Sequence, residues 1–357
     1  CEDNGFSFIG PKAKIINSMG DKSEARNTMK SSGVPVIPGS DGVLKDVSEA
    51  TKFAEKVKYP VMVKASAGGG GRGMRLVKSQ KELESAFNSA KAESKSAFNN
   101  DDLYLEKFVE NPRHIEVQIL ADSNGNTIHL GERECSIQRR HQKLIEESPS
   151  VVINNKLRNK LGEAAINAAK AVNYVGVGTV EFLVDNNLDY YFMEMNTRIQ
   201  VEHPVTEMVT GVDLIKQQIR MHAGKTFPKF LENFQLRGHS IECRINAEDP
   251  ANDFIPSPMK ITSFHMPGGK GVRIDSHAYA GYQIPTNYDS MIGKLIVFSS
   301  SRERAINRMS RALEECIIEG PKTTIPFHQA IMNDELFKKG EFDTGFLDNF
   351  KFTDKGK

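Results

Sequence analysis

The stretch that decides the fold is GTVEFLVDNNLDYYFMEMNTRIQVEH, residues 178–203. Strand-forming residues make up 179–185, and a second run of such residues follows in 190–196. The segment between the two runs is rich in Asn and Asp, which favour tight turns. This pattern predicts an antiparallel β-hairpin.

The length of the predicted loop sets the register of this hairpin. A four-residue loop pairs Asp185 with Tyr190 and places Glu181 directly opposite Glu194. A two-residue loop shifts the register by two residues and leaves both carboxylates on one face, because side chains alternate with a period of two. Either loop length therefore predicts that Glu181 and Glu194 share a face of the sheet.

Two opposed carboxylates repel each other, and a pair of strands rarely tolerates them without a cation between them. Asn196 lies two residues beyond Glu194 on the same predicted face and offers an amide oxygen. Two carboxylates and an amide oxygen suit Mg²⁺, which keeps its other coordination positions for water and substrate phosphates. The pattern predicts a metal site at Glu181, Glu194 and Asn196; the alternative is a solvated face.

Beyond the hairpin, the same period of two points Arg198, Gln200 and Glu202 toward the predicted metal if the chain stays extended. A guanidinium can grip a small planar oxyanion such as bicarbonate with two hydrogen bonds, and a carboxylate within reach can take its proton. These residues predict an anion site with a base. The alternative is a ladder of surface salt bridges.

The glycine cluster KASAGGGGRGM, residues 64–74, contains GxGxxG spacing but does not predict a dinucleotide fold. The segment that follows, 74–77, indicates a strand and not a helix, and the missing Gly-Lys-Ser/Thr excludes a Walker A loop. Strand, glycine loop and strand together predict a flap whose backbone amides close over phosphates, with Lys64 adding positive charge. A tight mobile turn without a ligand remains the alternative.

The other elements follow from hydrophobic periodicity and turn residues. A helix is predicted over 12–32, ended by Gly33, and a domain boundary is expected near residue 237, where Gly and Pro become more frequent. Further helices are predicted near 47–58, 80–98, 155–173 and 302–316, and further strands over 34–37, 61–65, 74–77, 103–109, 114–120 and 127–130.

Composition excludes several classes of protein. The 357 residues include 47 basic and 46 acidic side chains, so a polybasic surface for nucleic acid is not expected. No apolar run approaches the ~18 residues of a membrane helix. Four widely spaced cysteines indicate neither disulfides nor a zinc site, which favours a reducing cytoplasm. The chain starts at Cys1 and not at an initiator Met, and the charges of Glu2 and Asp3 exclude the apolar segment of a signal peptide, so residue 1 is not expected to be the natural start.

Long ordered motifs spread over the chain resemble the biotin carboxylase family of the ATP-grasp superfamily. They are MGDK (19–22), KASAGGGGRGM (64–74), EKFVENPRHIEVQ (106–118), RRHQK (139–143), EMNTRIQVEHPVTE (194–207) and ECRINAEDP (242–250). The basic RRHQK segment read alone is compatible with a solvated turn. The resemblance implies ATP-dependent carboxylation of biotin with bicarbonate.

The resemblance also implies an α+β architecture, an ATP-grasp fold with a mobile glycine-rich lid followed by a biotin carboxylase C-terminal domain. Residues 1–35 would be the remnant of an N-terminal Rossmann-like domain and a linking helix, and 36–108 the lid. Residues 109–237 would form the core with the metal and bicarbonate sites, and 238–357 the C-terminal domain. The family's N-terminal domain contributes to the biotin pocket and the dimer interface, so its reduction here puts the activity of the fragment in question.

Site residues are carried over by matching motif. The family's Mg²⁺ or Mn²⁺ site falls on Glu181, Glu194 and Asn196, and its bicarbonate site on Arg198, Gln200, Val201 and Glu202, with Glu202 as the base. Arg244 matches the residue that stabilises the biotin enolate, and Lys143 matches the catalytic lysine. The ATP-binding positions are Lys22, Lys64, Gly69, Gly70, Gly71, Glu106, Lys107, His114, His141 and Leu183.

The implied assembly is that of a bacterial-type acetyl-CoA carboxylase in fatty acid synthesis. Its partners would be a biotin carboxyl carrier protein and carboxyltransferase subunits, with a homodimer expected for the full-length protein. The alternatives are the same domain of a pyruvate or propionyl-CoA carboxylase and an inactive nucleotide-binding fragment. A carbamoyl-phosphate synthetase shares bicarbonate activation but lacks the ECRINAED segment.

Overall fold

The computed structural model describes residues 1–40, 42–66, 73–228, 231 and 234–353, except for the side chains of residues 2, 22, 23 and 98. Gly69, Gly70, Gly71 and the side chain of Lys22, all predicted to bind ATP, lie outside this description. Within the described residues, no helix combines the length and the apolar character that crossing a membrane requires.

The first part of the chain holds two helices where one was predicted. Helix α1 spans Ala13–Gly20 and α2 spans Lys22–Ser31, after a short 3₁₀ turn at Glu2–Asn4. The break lies at Asp21, whose extended backbone and side chain cap α2 by accepting from the Glu24 backbone N–H at 2.7 Å. The periodicity continues through this residue, but the capping carboxylate starts a new helix.

The strand predicted over 34–37 is also absent as a separate element. Val36 makes only an isolated parallel bridge to Phe192, and the backbone carbonyl of Pro35 accepts from the Phe192 N–H at 2.7 Å. Pro35 and Pro38 have no backbone N–H to donate, so this segment cannot continue a ladder.

A small α/β unit follows, with its own core. It contains α3 (Val47–Val57), β1 (Val61–Ala65), β2 (Met74–Val77), α4 (Gln80–Phe98) and β3 (Leu103–Lys107). The strands form an antiparallel sheet in the order β2-β1-β3. Apolar side chains of this sheet, including Val61, Val63 and Leu105, pack with apolar side chains of the helices, including Leu83 and Phe87 of α4. The predicted strands around the glycine segment are confirmed.

An eight-stranded antiparallel sheet organises the rest of the molecule. Its strands are β4 (Arg113–Ala121), β5 (Thr127–Arg139), β6 (Gln142–Ser148), β7 (Gly176–Val184), β8 (Tyr190–Asn196), β9 (His239–Asn246), β13 (Val272–Ser276) and β14 (Met291–Ser299). The short strands β10 (Glu248–Asp249), β11 (Ile255–Pro256) and β12 (Ser263–His265) precede β13, with a 3₁₀ turn at Pro250–Asn252. The sheet order is β13-β14-β9-β6-β5-β4-β7-β8.

Helices cover this sheet. Helix α5 (Asn155–Ala171) packs on one face of β4 and β7, while α6 (His203–Thr210) and α7 (Leu214–His222) follow β8. The last part of the chain contains α8 (Arg302–Glu315), β15 (Ile317–Glu319), α9 (Ile325–Asn333), α10 (Glu335–Lys339) and α11 (Phe346–Asn349). The helices predicted over 155–173 and 302–316 are confirmed.

The two faces of β4 and β7 differ sharply in chemistry. Alternate residues, Ile115, Val117 and Phe182 among them, point into an apolar core with α5. The intervening residues Glu116 and Glu181 are polar and buried, and they define the polar face of the sheet. The candidate site lies on this polar face.

The sheet continues across residue 237, where the sequence suggested a boundary. Strand β9 pairs with β6, and the apolar cluster beneath them joins Ile137 and Ile145 to Ile241, Leu295 and α8. The division into units 1–35, 36–108, 109–237 and 238–357 remains a prediction.

Candidate active site

A row of charged side chains runs across four neighbouring strands of the polar face. The strand register places Arg133 opposite Glu116, Glu116 opposite Glu181, and Glu181 opposite Glu194. The predicted opposition of Glu181 and Glu194 is therefore confirmed. Three of these four side chains are buried, and Glu194, on the edge strand, is exposed.

The register at the loop end of this hairpin differs from the prediction. Tyr190 pairs with Val184 and not with Asp185, so the loop has an odd number of residues. A β-bulge between Glu181 and Phe182 compensates, with Met193 as the extra residue of β8. The odd loop alone would turn Glu194 to the other face, and the bulge restores the predicted arrangement.

The three predicted metal ligands meet on the polar face. The Asn196 side-chain amide donates to Glu181 Oε1 at 2.8 Å and to Glu194 Oε1 at 3.2 Å. Rotation of this amide presents its oxygen in place of its NH₂ group, which gives three hard oxygen donors around one point. The donor chemistry of Glu181, Glu194 and Asn196 fits Mg²⁺ or Mn²⁺.

Lys143, at the start of β6, connects the carboxylates of this face. Its Nζ donates to Glu116 Oε1, to Glu202 Oε1 at 2.7 Å and to Glu181 Oε1 at 3.0 Å. Burial lowers the pKa of Lys143, but the surrounding carboxylates outweigh it and raise that pKa. The lysine is therefore a fixed positive charge.

Glu181 is ionised for a related reason. Burial raises its pKa, but the contacts with His114 and Lys143 outweigh burial and lower the pKa to about 2. His114 Nε2 lies 2.8 Å from Glu181 Oε2, and the Gln200 amide donates to Glu181 Oε1 at 2.8 Å. A carboxylate held ionised in this way is suited to a cation.

Arg244, on β9, also contacts this cluster of charged side chains. Its Nε donates to Glu146 Oε1 at 2.6 Å, and its Nη2 donates to Glu202 Oε2 at 3.1 Å. Glu202 is the N-cap residue of α6, but its side chain does not cap the helix and lies between Lys143 and Arg244. The predicted base and two predicted catalytic cations are thus in direct contact.

Comparison with known proteins agrees with this geometry. Residues 21–230 match the family model "Carbamoyl-phosphate synthase L chain, ATP binding domain", and residues 242–349 match "Biotin carboxylase C-terminal domain". The biotin carboxylase of Nostoc sp. is 57% identical over 347 residues, covering 97% of this chain and 78% of the relative. The chain belongs to the biotin carboxylase family. It is thereby an ATP-dependent ligase with an ATP-grasp domain.

Other relatives and solved structures widen the comparison. A pyruvate carboxylase subunit from Methanothermobacter thermautotrophicus is 55% identical over 351 residues, covering 98% of this chain and 71% of the relative. A crystal structure of biotin carboxylase from Campylobacter jejuni with a βγ-ATP ligand is 53% identical with a TM-score of 0.90, covering 98% of this chain and 78% of that one. The biotin carboxylase domain dimer of Hydrogenobacter thermophilus 2-oxoglutarate carboxylase, with MgADP, ADP and bicarbonate, has a TM-score of 0.88 at 51% identity, covering 98% and 77% of the two chains.

In this member of the biotin carboxylase family, the predicted bicarbonate residues do not lie on one extended strand. Strand β8 ends at Asn196, and a turn at residues 201–202 leads into α6. Gln200 and Glu202 still reach the cluster, because the turn brings them back over the sheet. Arg198 is exposed, and among the described residues its one hydrogen bond is a 3.4 Å contact with the Ile199 carbonyl. The Val201 carbonyl accepts from Lys294 Nζ at 2.6 Å.

The predicted ATP residues fall into groups on different elements. Lys64 on β1 donates to Glu106 on β3 at 2.5 Å, and Lys107 donates to the Lys58 and Tyr59 carbonyls at 3.0 and 3.2 Å. On the main sheet, Leu183 pairs in register with His114. The exposed His141 forms with Arg140 the turn between β5 and β6, and both have positive φ.

Arg133 is the main site residue that sequence reasoning missed. It is completely buried, and its guanidinium contacts side chains from two other strands, from the turn after β8 and from α6: Glu116, Gln118, Thr179, Gln200 and Thr206. Side-chain alternation along β5 places Arg133 on the same face as Glu116. The sequence pattern, however, predicts a strand that ends at residue 130, before Arg133. A longer predicted strand would have pointed to it.

Proposed function

We propose that this chain carboxylates biotin on a biotin carboxyl carrier protein, using ATP and bicarbonate through a carboxyphosphate intermediate. The observation that carries the proposal is the buried Glu202 carboxylate held between Lys143 and Arg244, beside the carboxylates of the candidate metal site. A base between two fixed cations can take a proton and also stabilise the anions that form next to it.

In the first step, Arg198, Gln200 and the Val201 backbone would bind bicarbonate with Glu202 next to its hydroxyl. Glu202 accepts the bicarbonate proton, and the resulting oxyanion attacks the γ-phosphorus of ATP, releasing ADP and forming carboxyphosphate. The pair of N–H donors on Arg198 suits a planar carbonate group. Lys143 and Arg244 offset the negative charge that accumulates there.

In the second step, carboxyphosphate breaks down to carbon dioxide and phosphate. Phosphate removes the proton from biotin N1, and the nitrogen then attacks carbon dioxide to form the carbon–nitrogen bond. The guanidinium of Arg244 would stabilise the enolate oxygen of biotin during this step, because it is a fixed positive charge on the same face.

Glu181, Glu194 and Asn196 would hold Mg²⁺ or Mn²⁺, which would offset the charge of the nucleotide phosphates. ATP would bind between the small α/β unit and the main sheet. Lys22, Lys64, Gly69, Gly70 and Gly71 would contact its phosphates, and Glu106, Lys107, His114, His141 and Leu183 the rest of the nucleotide.

The assembly that we propose is an acetyl-CoA carboxylase of fatty acid synthesis, with separate carrier and carboxyltransferase subunits, a homodimeric biotin carboxylase and a cytoplasmic location. Bacterial and chloroplast relatives that are named biotin carboxylase support the assignment of this chain to the biotin carboxylase subunit of such an assembly. A pyruvate carboxylase type is the second candidate, because one relative at 55% identity is part of a pyruvate carboxylase. The match of residues 242–349 argues against a carbamoyl-phosphate synthetase.

The test uses the full-length protein. We expect ATP hydrolysis that depends on bicarbonate and rises with free biotin, and losses of about 100-fold or more for Glu202→Gln and Arg198→Ala, the range for removing a general base or an anion clamp. The exposed Glu314→Gln and Arg304→Ala serve as matched controls with unchanged rates. ATP turnover that is equally fast without bicarbonate would overturn the proposal.

A further inference from the structure

Two buried glutamates lie behind Arg244. Glu146 on β6 and Glu242 on β9 are register partners, and both are completely shielded from solvent. Glu146 Oε1 accepts from Arg244, whereas Glu146 Oε2 and both carboxylate oxygens of Glu242 have no hydrogen-bond partner among the described residues. Buried polar atoms are almost always paired, so three unpaired carboxylate oxygens at one place require an explanation.

The cations nearby are already engaged. Arg244 bridges Glu146 and Glu202, and Lys294 on β14 donates to the Val201 carbonyl and lies 3.6 Å from Asp275. Lys143 contacts Glu116, Glu181 and Glu202. None of these described contacts reaches the Glu242 carboxylate, so a second negative charge beside Glu146 would be buried without compensation.

Electrostatics agree with this geometry. Burial raises the pKa of Glu146 to about 7, although Arg244 acts in the opposite direction. Burial, and then the charge of Glu146, raise the pKa of Glu242 well above its ordinary value. Lys294, Arg244 and Glu202, on β14, β9 and the start of α6, are the other charged groups that act on Glu242.

We propose that Glu146 and Glu242 share one proton across the β6–β9 pair, and that Glu242 is thereby a positioning residue for Arg244. Two opposed buried carboxylates cannot both ionise cheaply, and one proton between them supplies the missing hydrogen bond. With a single negative charge in the pair, Arg244 stays anchored, and its positive charge is balanced but not outweighed by the carboxylates next to it. Loss of the proton adds a second negative charge behind the guanidinium and weakens its attraction for the enolate.

The shared proton is tested without turnover, so this part stands apart from the proposed function. The infrared spectrum of the full-length protein near pH 6 should contain the C=O band of a neutral carboxylic acid in a dry environment. Glu242→Gln should remove or shift this band, whereas Glu335→Gln, at an exposed position, should not change it. A wild-type spectrum in which no such band depends on Glu242 would overturn the proposal.

Stability against pH gives a second readout. The raised pKa means that the folded protein holds a proton that the unfolded chain releases above its ordinary pKa of about 4.5. The melting temperature of Glu242→Gln relative to wild type should therefore rise as pH increases from 5 toward 9. A difference that stays constant over this range would contradict a shared proton, even if the variant is less stable at every pH.

The effect on Arg244 rests on the proposed function and needs a kinetic measurement. In wild type, biotin-dependent turnover should decline as pH rises through the titration of the pair. Glu242→Gln leaves Glu146 as the one carboxylate of the pair, with no shared proton to lose, so it should remove this decline. The KM for ATP should not follow this change.

Glu146→Gln is the contrasting variant: it removes the acceptor of Arg244 and should reduce biotin-dependent kcat at all pH values. A decline that persists in Glu242→Gln would overturn the positioning role while leaving the bicarbonate-dependent ATPase, and with it the proposed function, intact.

Discussion

The guanidinium of Arg133 organises the polar face from inside the protein. It contacts Glu116 through Nε at 3.3 Å and Nη2 at 2.7 Å, and it donates to Gln200 Oε1 at 2.9 Å. Gln200 in turn donates to Glu181, so Arg133 supports both the predicted bicarbonate residue and the predicted metal ligand. A planar group with five donors can hold this many partners, which an ammonium group cannot.

Arg133→Met should lower the free energy of unfolding by about 3–5 kcal/mol, because it removes one of the two ion-pair partners of the buried Glu116 carboxylate in the described part of the chain and leaves Lys143. Arg133→Lys should recover part of this loss, since it keeps the charge but not the fork of donors. Urea denaturation of the full-length protein measures both values. A loss under about 1 kcal/mol for Arg133→Met would show that the contacts of Arg133 add little to stability.

At the scale of elements, the β7–β8 hairpin shows how a bulge decides which side chains of a strand lie on the polar face of the sheet. Phe192 and Met195 of β8 both lie in the apolar core although they are three residues apart. Only the extra residue Met193 between them makes this spacing compatible with strand periodicity. The bulge thereby keeps Glu194 opposite Glu181.

Deletion of Met193 should leave a regular ladder in which Phe182 still pairs with Phe192 and Glu181 still pairs with Glu194. We therefore expect metal-dependent ATP hydrolysis within about tenfold of wild type, equivalent to about 1.4 kcal/mol of barrier. Deletion of Met195, a deletion of equal size, removes a core side chain and moves Asn196 toward the core. That variant should lose the activity, and equal effects of the two deletions would contradict the bulge assignment.

At the scale of the whole molecule, a buried carboxylate joins parts of the chain that are far apart in sequence. Glu147 on β6 accepts from Arg302 of α8 at 2.7 Å and lies 2.6 Å from His239 Nε2 on β9. Burial raises the pKa of Glu147, but Arg302 and His239 outweigh it and lower the pKa to about 2. The contact lies on the side of the sheet opposite the candidate site and crosses residue 237.

Glu147→Gln should destabilise the protein by about 3 kcal/mol at pH 7, the value that corresponds to its lowered pKa. Because the folded pKa is depressed, the stabilisation is present above the ordinary pKa near 4.5 and is lost as pH falls toward 2. The difference from wild type should therefore shrink below pH 4.5 in chemical denaturation experiments. Glu335→Gln, in an exposed pair with Lys338, is the control and should leave the denaturation midpoint unchanged. A difference that does not depend on pH would exclude the ion pair as its cause.

Local patterns determined much of this protein. The period of two in side-chain direction predicted that Glu181, Glu194 and Asn196 share one face, and they do, but through an odd-numbered loop and a compensating bulge at Met193 that the sequence pattern did not predict. Capping and turn residues likewise placed most helices, and the error at Asp21 came from a periodicity that continued through a capping residue. The motifs of the chain predicted the family that the comparisons show.

Tertiary structure alone decided which strands became neighbours. The pairing of β6 with β9 joins residues about a hundred positions apart, and no local pattern encodes it. That pairing places Glu146 against Glu242 and delivers Arg244 to Glu202. Gln200 and Glu202 lie over the sheet because α6, which follows them in the chain, packs against its strands, and this packing is also a tertiary contact. The local sequence determines the chemistry of each side chain and the strand face on which it lies. Contacts between distant strands form because those strands bury one shared core, and this depends on the whole chain.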